Sequence, residues 1–285
     1  MNKKLLGLFG LKWNPFAPDV PTEALVRTPK LDSFCWRVEQ LVRDGGFALV
    51  TGDPGTGKSA ALRILADRLS RLPQVQVGCV EHPQSRVTDF YREMGDLFGV
   101  PMEPHNRWGG FRALREKWAA HIEATMMRPV LLVDEAQEML VGALGELRLL
   151  ASTQLDSRAI LTVILAGDGR LPDRFRTPEL LPIGSRIRAR LTLDYATRDE
   201  LRACLDHLLA EAGNKALMTP ELVSTLCEHA AGNHRVLMTI AGDLLAAAAQ
   251  RELSKLDEKL YFDVFAQSAD RRAEEVRAAK ARRSA

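Results

Sequence analysis

The chain is poor in cysteine, with four in 285 residues: Cys35, Cys79, Cys204 and Cys227. None forms a C-x-x-C pair, and no Cys/His spacing resembles a zinc site. Neither a disulfide scaffold nor a structural metal is expected, and the four read as small buried apolar residues. The six histidines form no visible metal cluster either. No run of 18 apolar residues exists, so no membrane span is expected. The opening MNKKLLGLFGLKWNPF superficially resembles a secretion signal. Its apolar stretch is broken by Lys12 and Asn14, and no small-residue cleavage site follows. A cytoplasmic location without a membrane partner is the resulting expectation. A dominant charge sign is missing too: 39 basic against 37 acidic residues leave +2. The whole chain therefore projects no strong field towards polyanions, and any nucleic-acid surface must be local. Tandem repeats are absent.

What is present is ordinary globular composition, 46% hydrophobic and 27% charged, which argues against disorder or a coiled coil. The length fits about two domains. Residues 1–30 hold Trp13, Pro15, Phe16, Pro18, Pro21 and Pro29, which predicts an ordered arm that packs on the core following it. Residues 31–43 carry one apolar helix face. Strands are predicted at Phe47–Thr51, Val75–Glu81, Val130–Val133 and Ile160–Leu165, with helices at 85–99, 111–125 and 144–152 between them. Near-continuous apolar strands alternating with helices indicate a parallel sheet covered on both faces. Beyond Leu193 no strand pattern is found. Thr-capped, Gly-terminated helical segments follow, at 197–213 and 219–232, then 234–253 and 256–270. The boundaries expected are an arm (1–30), an α/β core (31–195), a helical lid (196–268) and a basic flexible tail (269–285).

Gly52-Asp53-Pro54-Gly55-Thr56-Gly57-Lys58-Ser59 matches G-x-x-x-x-G-K-[ST] between an apolar strand and a helix. That context identifies a phosphate-binding loop. Glycines let backbone N–H groups converge on phosphate oxygens, and the N-terminus of the helix, through Ser59 and Ala60, adds partial positive charge. Lys58 suits the β and γ phosphates, and Ser59 suits Mg²⁺. Leu131-Leu132-Val133-Asp134-Glu135 is the partner motif, an apolar strand ending in two acids. Asp134 is the candidate for the Mg²⁺ shell and Glu135 for the base that activates water. Nucleoside-triphosphate hydrolysis follows. Asp168, at the end of VILAGD, is a candidate sensor, with an ordinary loop residue as the alternative. Arg186, Arg188 and Arg190 offer an arginine finger for a neighbouring subunit, or solvated surface. Arg235, opening a helix after Gly232-Asn233, is a candidate to reach back to the phosphates.

Taken in order, FGLKWNPFAPDV, GDPGTGKS, LLVDEAQEM, VILAGD, SRIRARLTL and AGNHRVL resemble an AAA+ ATPase, and more narrowly the ExeA/TniB/TnsC/MuB group. These pieces span about residues 8–240. The resemblance implies an α/β P-loop NTPase sheet flanked by helices, followed by a small all-helical lid. It implies a slow, Mg²⁺-dependent ATPase that oligomerises as a ring or filament on duplex DNA, with ATP between subunits, and recruits a DDE transposase. The alternative is an ExeA-like secretion or signalling ATPase acting on a protein without DNA. No long extension or membrane span of the secretion type is seen, which favours the transposition branch. By this resemblance the finger falls on Arg186 first and Arg188 second. Asp168 departs from the Gln, Thr or Asn common at the sensor position. In this architecture the arm, through Phe16, can lie near the adenine, with Arg27 close by.

Duplex DNA requires phosphate neutralisation by local basic groups. Ser85 and Arg86 in HPQSR form one candidate patch. Arg107, Arg112, Arg115 and Lys117, around a predicted Gly109-Gly110 turn, form a second, with Glu103 and Glu116 able to balance it into plain solvated surface. The tail arginines 271, 272, 277, 282 and 283 are a third. Trp36, Trp108 and Trp118 read as core or interface anchors, and Met126-Met127 as core.

Overall fold

The computed structural model describes residues 3–102, 106–153 and 158–265. Along the chain the elements are α1 (Lys3–Phe9), α2 (Pro29–Asp44), β1 (Gly46–Gly52), α3 (Lys58–Ser70), β2 (Val75–Val80), α4 (Val87–Phe98), α5 (Arg107–Thr125) and β3 (Arg128–Val133). There follow α6 (Val141–Ala151), β4 (Ser152–Thr153), β5 (Arg158–Ala159), β6 (Thr162–Gly167), α7 (Arg170–Arg174), α8 (Leu181–Gly184) and β7 (Ile187–Leu193). The last three are α9 (Arg198–Ala212), α10 (Pro220–Ala230) and α11 (His234–Gln250); residues 258–265 are also helical. The chain divides into two units, Arg27–Asp194, and Met1–Val26 with Tyr195–Ala285.

The first unit is built on a five-stranded sheet in the order β2-β3-β6-β1-β7, parallel throughout. Parallel strands need crossovers of a dozen or more residues, which the helices supply. Four strands coincide with the predicted apolar runs. The fifth, β7, escapes that pattern because only alternate residues, Ala189 and Leu191, are buried, while Arg188, Arg190 and Thr192 face solvent on the edge. Strand residues Phe47, Leu49, Leu131, Val133 and Val163 form one core with Phe90, Met94, Phe98, Trp118 and Leu147. Phe98 and Trp118 meet edge to face, centroids 5.1 Å apart. β4 and β5 pair as a separate antiparallel hairpin.

Several local readings change. Gly109-Gly110 is not a turn. Asn106 accepts from the Gly109 N–H at 2.7 Å and caps α5, so both glycines lie in its first turn. A side chain at Gly109 would strike the Asn106 amide at 2.4 Å. Of the three tryptophans Trp118 is core, whereas Trp36 and Trp108, 58% and 71% exposed, keep only the interface alternative. Met126 is 54% exposed because it ends α5 in a left-handed conformation, φ 60°. Cys79 is exposed on the edge strand β2.

The second unit obeys the helix grammar of its sequence. Thr197 and Glu200 make a reciprocal capping box on α9. Thr219 caps α10 with Pro220 at its first position, and Asn233 caps α11. These caps satisfy N–H groups that a helix start otherwise leaves unpaired. Leu201, Leu205, Leu226, Leu237 and Leu244 make the core, and Phe9, Leu11 and Phe16 from the arm are buried in it. The arm is therefore part of the helical unit's core. The cause is polar as well as apolar: the Lys12 N–H donates to Ala212 O at 2.8 Å, at the end of α9, and Asn214 Nδ2 donates to Phe9 O at 2.7 Å. Carbonyls at a helix end lack partners within the helix, so the arm supplies one.

Among the described residues no helix is long and apolar enough to cross a membrane, and no group of three or more His, Cys, Asp or Glu is arranged for a metal ion. The predicted tail (269–285), with its arginines, and Glu103 and His105 lie outside the described residues.

Candidate functional site

Strand register assembles the site. β6 lies between β1 and β3. Thr51 is level with Gly167 and Val133 with Leu165. The next residues, Gly52, Asp134 and Asp168, therefore emerge together at the carboxyl end of the sheet, where ligands of open α/β sheets bind.

The loop after β1 turns tightly. Gly52 allows close packing, since a Cβ there would meet Leu193 O at 2.5 Å. Gly57 precedes α3 with φ 100°, in the left-handed region. Thr56 Oγ1 donates to Asp53 O at 2.8 Å, across Pro54 and Gly55. Lys58 opens α3 and is only 6% exposed. Its ammonium donates to Gly52 O at 2.8 Å and Asp53 O at 3.1 Å. A buried ammonium held at the mouth of backbone amides and a helix N-terminus is an anion-binding arrangement. Ala60 is half-buried in the same turn.

Ser59 Oγ donates to Asp134 Oδ2 at 2.7 Å. This hydroxyl and carboxylate, drawn together from α3 and the end of β3, are the hard oxygen donors that Mg²⁺ prefers, so the residues fit that ion. Asp134 Oδ1 also accepts from the Glu135 N–H at 2.9 Å. Glu135 has φ 51° and ψ 38°, a strained backbone for a residue with a side chain. Its carboxylate accepts from Gln137 Nε2.

Asp168 sits at the end of β6. Its N–H donates to Gln137 Oε1 at 3.2 Å, and its carboxylate accepts from Arg170 Nε at 2.8 Å. That bond holds the Asp168 carboxyl below its usual range, burial opposing, with a smaller contribution from Lys58. Arg170 reaches Glu138 as well, at 2.9 Å. Gln137, Glu138, Arg170 and Arg174, which binds Gln137 O and Met139 O, carry no weight in a motif reading that stops at the acid pair. The only signal was a glutamine two residues past the second acid.

The remaining candidates are dispersed. Arg186 binds Pro182 O in the turn before β7. Arg188 pairs with Asp44 at 4.0 Å, and Arg190 donates to Gly184 O at 3.4 Å. Arg27 is exposed just before α2. Phe16 is a core residue of the helical unit. Arg235 is exposed at the start of α11. Ser85 and exposed Arg86 precede α4. Arg107 pairs with Glu146, which is buried, and Lys117 donates to Gly99 O at 2.9 Å. Arg115 lies 4.8 Å from the Phe111 ring centroid. Arg112 is exposed on an open groove lined also by Trp108, Phe111 and Ile160.

Residues 42–175 match the family described as an AAA domain. The chain is 30% identical over 254 residues to general secretion pathway protein A of Aeromonas hydrophila, an alignment covering 87% of this chain. It spans only 45% of that relative's length. Among solved structures, the ORC2 protein of Aeropyrum pernix in its ADPNP–ADP complexes superposes with a TM-score of 0.72 at 15% identity, covering 90% of this chain and 72% of that one. The ORC1 protein of the same organism in complex with DNA gives 0.68 at 17% identity, covering 92% and 70%. The fold is that of a P-loop NTPase of the AAA type, with a helical C-terminal region.

Proposed function

We propose that this chain is an AAA+ ATPase that binds ATP with Mg²⁺ and hydrolyses it to ADP and phosphate. The observation that carries this reading is the convergence of Lys58, Ser59, Asp134 and Glu135 at the carboxyl end of one parallel sheet, with Ser59 and Asp134 in contact. Lys58 and the loop amides bind and orient the polyphosphate. Ser59 and Asp134 would hold Mg²⁺, which supplies charge neutralisation. Glu135 takes a proton from water as its oxygen bonds to the γ-phosphorus. The bond to the bridging oxygen breaks, its electron pair leaves with ADP, and the proton passes on to the products. Arg186, with Arg188 next, is assigned as the finger reaching a neighbouring copy in a ring or filament; Arg235 is assigned to the phosphates.

For the partner, we favour duplex DNA bound through phosphates with weak sequence preference. Exposed Arg86 and Arg112 are the residues nearest that role, and both have no ion pair among the described residues. Recruitment of a DDE transposase rests on the motif resemblance. A protein partner is the second reading, favoured by the 30% identity to a general secretion pathway protein. Since the chain spans under half of that relative, the missing extension does not separate the branches. ATP turnover measured with and without random-sequence duplex, beside a gel shift with and without ATP, tests both levels. No Mg²⁺-dependent turnover rejects the enzyme. Turnover without nucleotide-dependent DNA binding at low salt rejects DNA and leaves the protein partner.

A further inference from the structure

Gln137 is 8% exposed and lies in the short 3-10 turn Ala136–Glu138 directly after Glu135. Both ends of its amide are engaged. Nε2 donates to the Glu135 carboxylate, and Oε1 accepts from the Asp168 N–H at 3.2 Å. The two partners dictate the amide's orientation, because a carboxylate only accepts and a backbone N–H only donates. Gly167 makes room for this contact: a Cβ there would lie 2.5 Å from Gln137 Oε1. Arg170 closes the other side by joining Asp168 to Glu138. The result is a polar frame in which residues 135–138 and 168–170 are tied twice, once through an amide and once through a guanidinium.

We propose that Gln137 is the positioning residue for the hydrolytic glutamate: its amide clamps the Glu135 carboxylate to the sensor end of β6, so that the base and the Asp168 turn move as one piece. The inference rests on the hydrolytic role assigned to Glu135 above. The geometry gives the clamp a reason. Glu135 leaves β3 in a left-handed conformation, and its free side chain has many rotamers. A bond from Gln137 removes that freedom before substrate arrives, which is where pre-organisation contributes to rate. Since the described side-chain hydrogen bonds of Gln137 go to Glu135 and Asp168 and not to the phosphate loop or Ser59, its loss is felt in turnover and not in nucleotide affinity.

The decisive variant is Gln137→Met, which keeps the length and apolar bulk but removes the amide. We expect kcat to fall by about tenfold to a hundredfold, the scale of a misplaced catalytic group. The Kd for a slowly hydrolysed ATP analogue is expected to stay at the wild-type value, and the Tm to fall only slightly, because the Asp168 N–H loses its acceptor. In the nucleotide-free protein, hydrogen exchange at the Asp168 amide is expected to accelerate. Gln137→Glu is the second variant. It sets a carboxylate against Glu135 and is expected to lower kcat at least as far. Unchanged kcat in both variants overturns the proposal, as does slow Asp168 exchange in Gln137→Met. A parallel loss of Kd, Tm and kcat overturns it as well, since that is the mark of scaffolding. Glu135→Gln serves as the separating control: if that variant still turns over ATP, the base assignment fails, whereas the exchange measurement still reads the clamp itself.

Discussion

The carboxyl end of the sheet and the exposed face of α5 are both rich in charged residues, yet they are organised in opposite ways. At the sheet end nearly every side chain touches another: Ser59 meets Asp134, Glu135 meets Gln137, and Asp168 meets Arg170. On α5, Arg107 is held by buried Glu146, Arg115 lies over Phe111, and Arg112 is exposed. The sheet end is fixed by strand register, which leaves each side chain a single place. The helix face is a list of charges from which the structure withdraws some and leaves others. A charge run in sequence therefore says little until its internal partners are known.

The comparison is broken most severely at Glu135. Glu135→Gln removes the proposed proton acceptor while keeping the shape and the contact region of Gln137. We expect turnover to drop by about 10²–10⁴-fold, the usual contribution of a general base. Binding of an ATP analogue should persist, as read by calorimetry beside single-turnover hydrolysis. Comparable turnover in the variant would reduce the wired sheet end to an anion-binding scaffold.

The next effect concerns stability and lies in the helical unit. Phe16 is buried with Leu201, Leu205 and Leu237, so Phe16→Ala is expected to cost about 3–5 kcal/mol on chemical denaturation. Phe16 in a nucleotide pocket would instead show its loss in ATP affinity at unchanged stability. The assignment of the arm to the helical core stands or falls on which quantity moves.

These two positions also show what the sequence makes legible. The place of Glu135 just past the end of β3 was readable because its environment is local: an apolar strand, two acids, and a phosphate loop earlier in a βα pattern. The caps at Thr197 and Thr219 were readable for the same reason, each being a contact within three residues. The place of Phe16 was not, because it depends on helices some 200 positions downstream, and composition records only that an aromatic needs burial. β7 was missed because an edge strand alternates exposed arginines with buried Ala189 and Leu191, which dilutes the apolar signal. The role of Gln137 was not readable because it depends on Asp168, a residue of another strand end some 30 positions downstream.

Arg107 provides a smaller test. It pairs with Glu146, whose other oxygen accepts from Tyr91 Oη at 2.7 Å. Burial and then that bond push the tyrosine hydroxyl above its ordinary range. Arg107→Ala leaves Glu146 buried with one partner fewer. Because Arg107 itself is partly exposed, solvent screens the pair, and a loss of about 1–3 kcal/mol is expected. Denaturant titration reads it, and Tyr91→Phe in combination separates the two contacts by a double-mutant cycle. A stability change near zero would return Arg107 to the pool of surface charges.

Arg112 gives the smallest effect on the fold and the sharpest contrast with its neighbour. It stands on the same helix, five positions further on, exposed and without an ion pair among the described residues. Arg112→Ala is expected to change stability by less than about 0.5 kcal/mol, as surface substitutions do. If the DNA reading holds, the salt slope of duplex affinity should fall by about one unit, the mark of one lost phosphate contact, nearly independent of sequence. Arg107→Ala should do the reverse, lowering stability while leaving the slope where it was once the folded fraction is accounted for. The pair thus crosses over: one arginine counts in the denaturation curve, the other in the salt titration. A slope unchanged by Arg112→Ala would take Arg112 out of the DNA interface and leave exposed Arg86, just before α4, as the next candidate to be titrated in the same way.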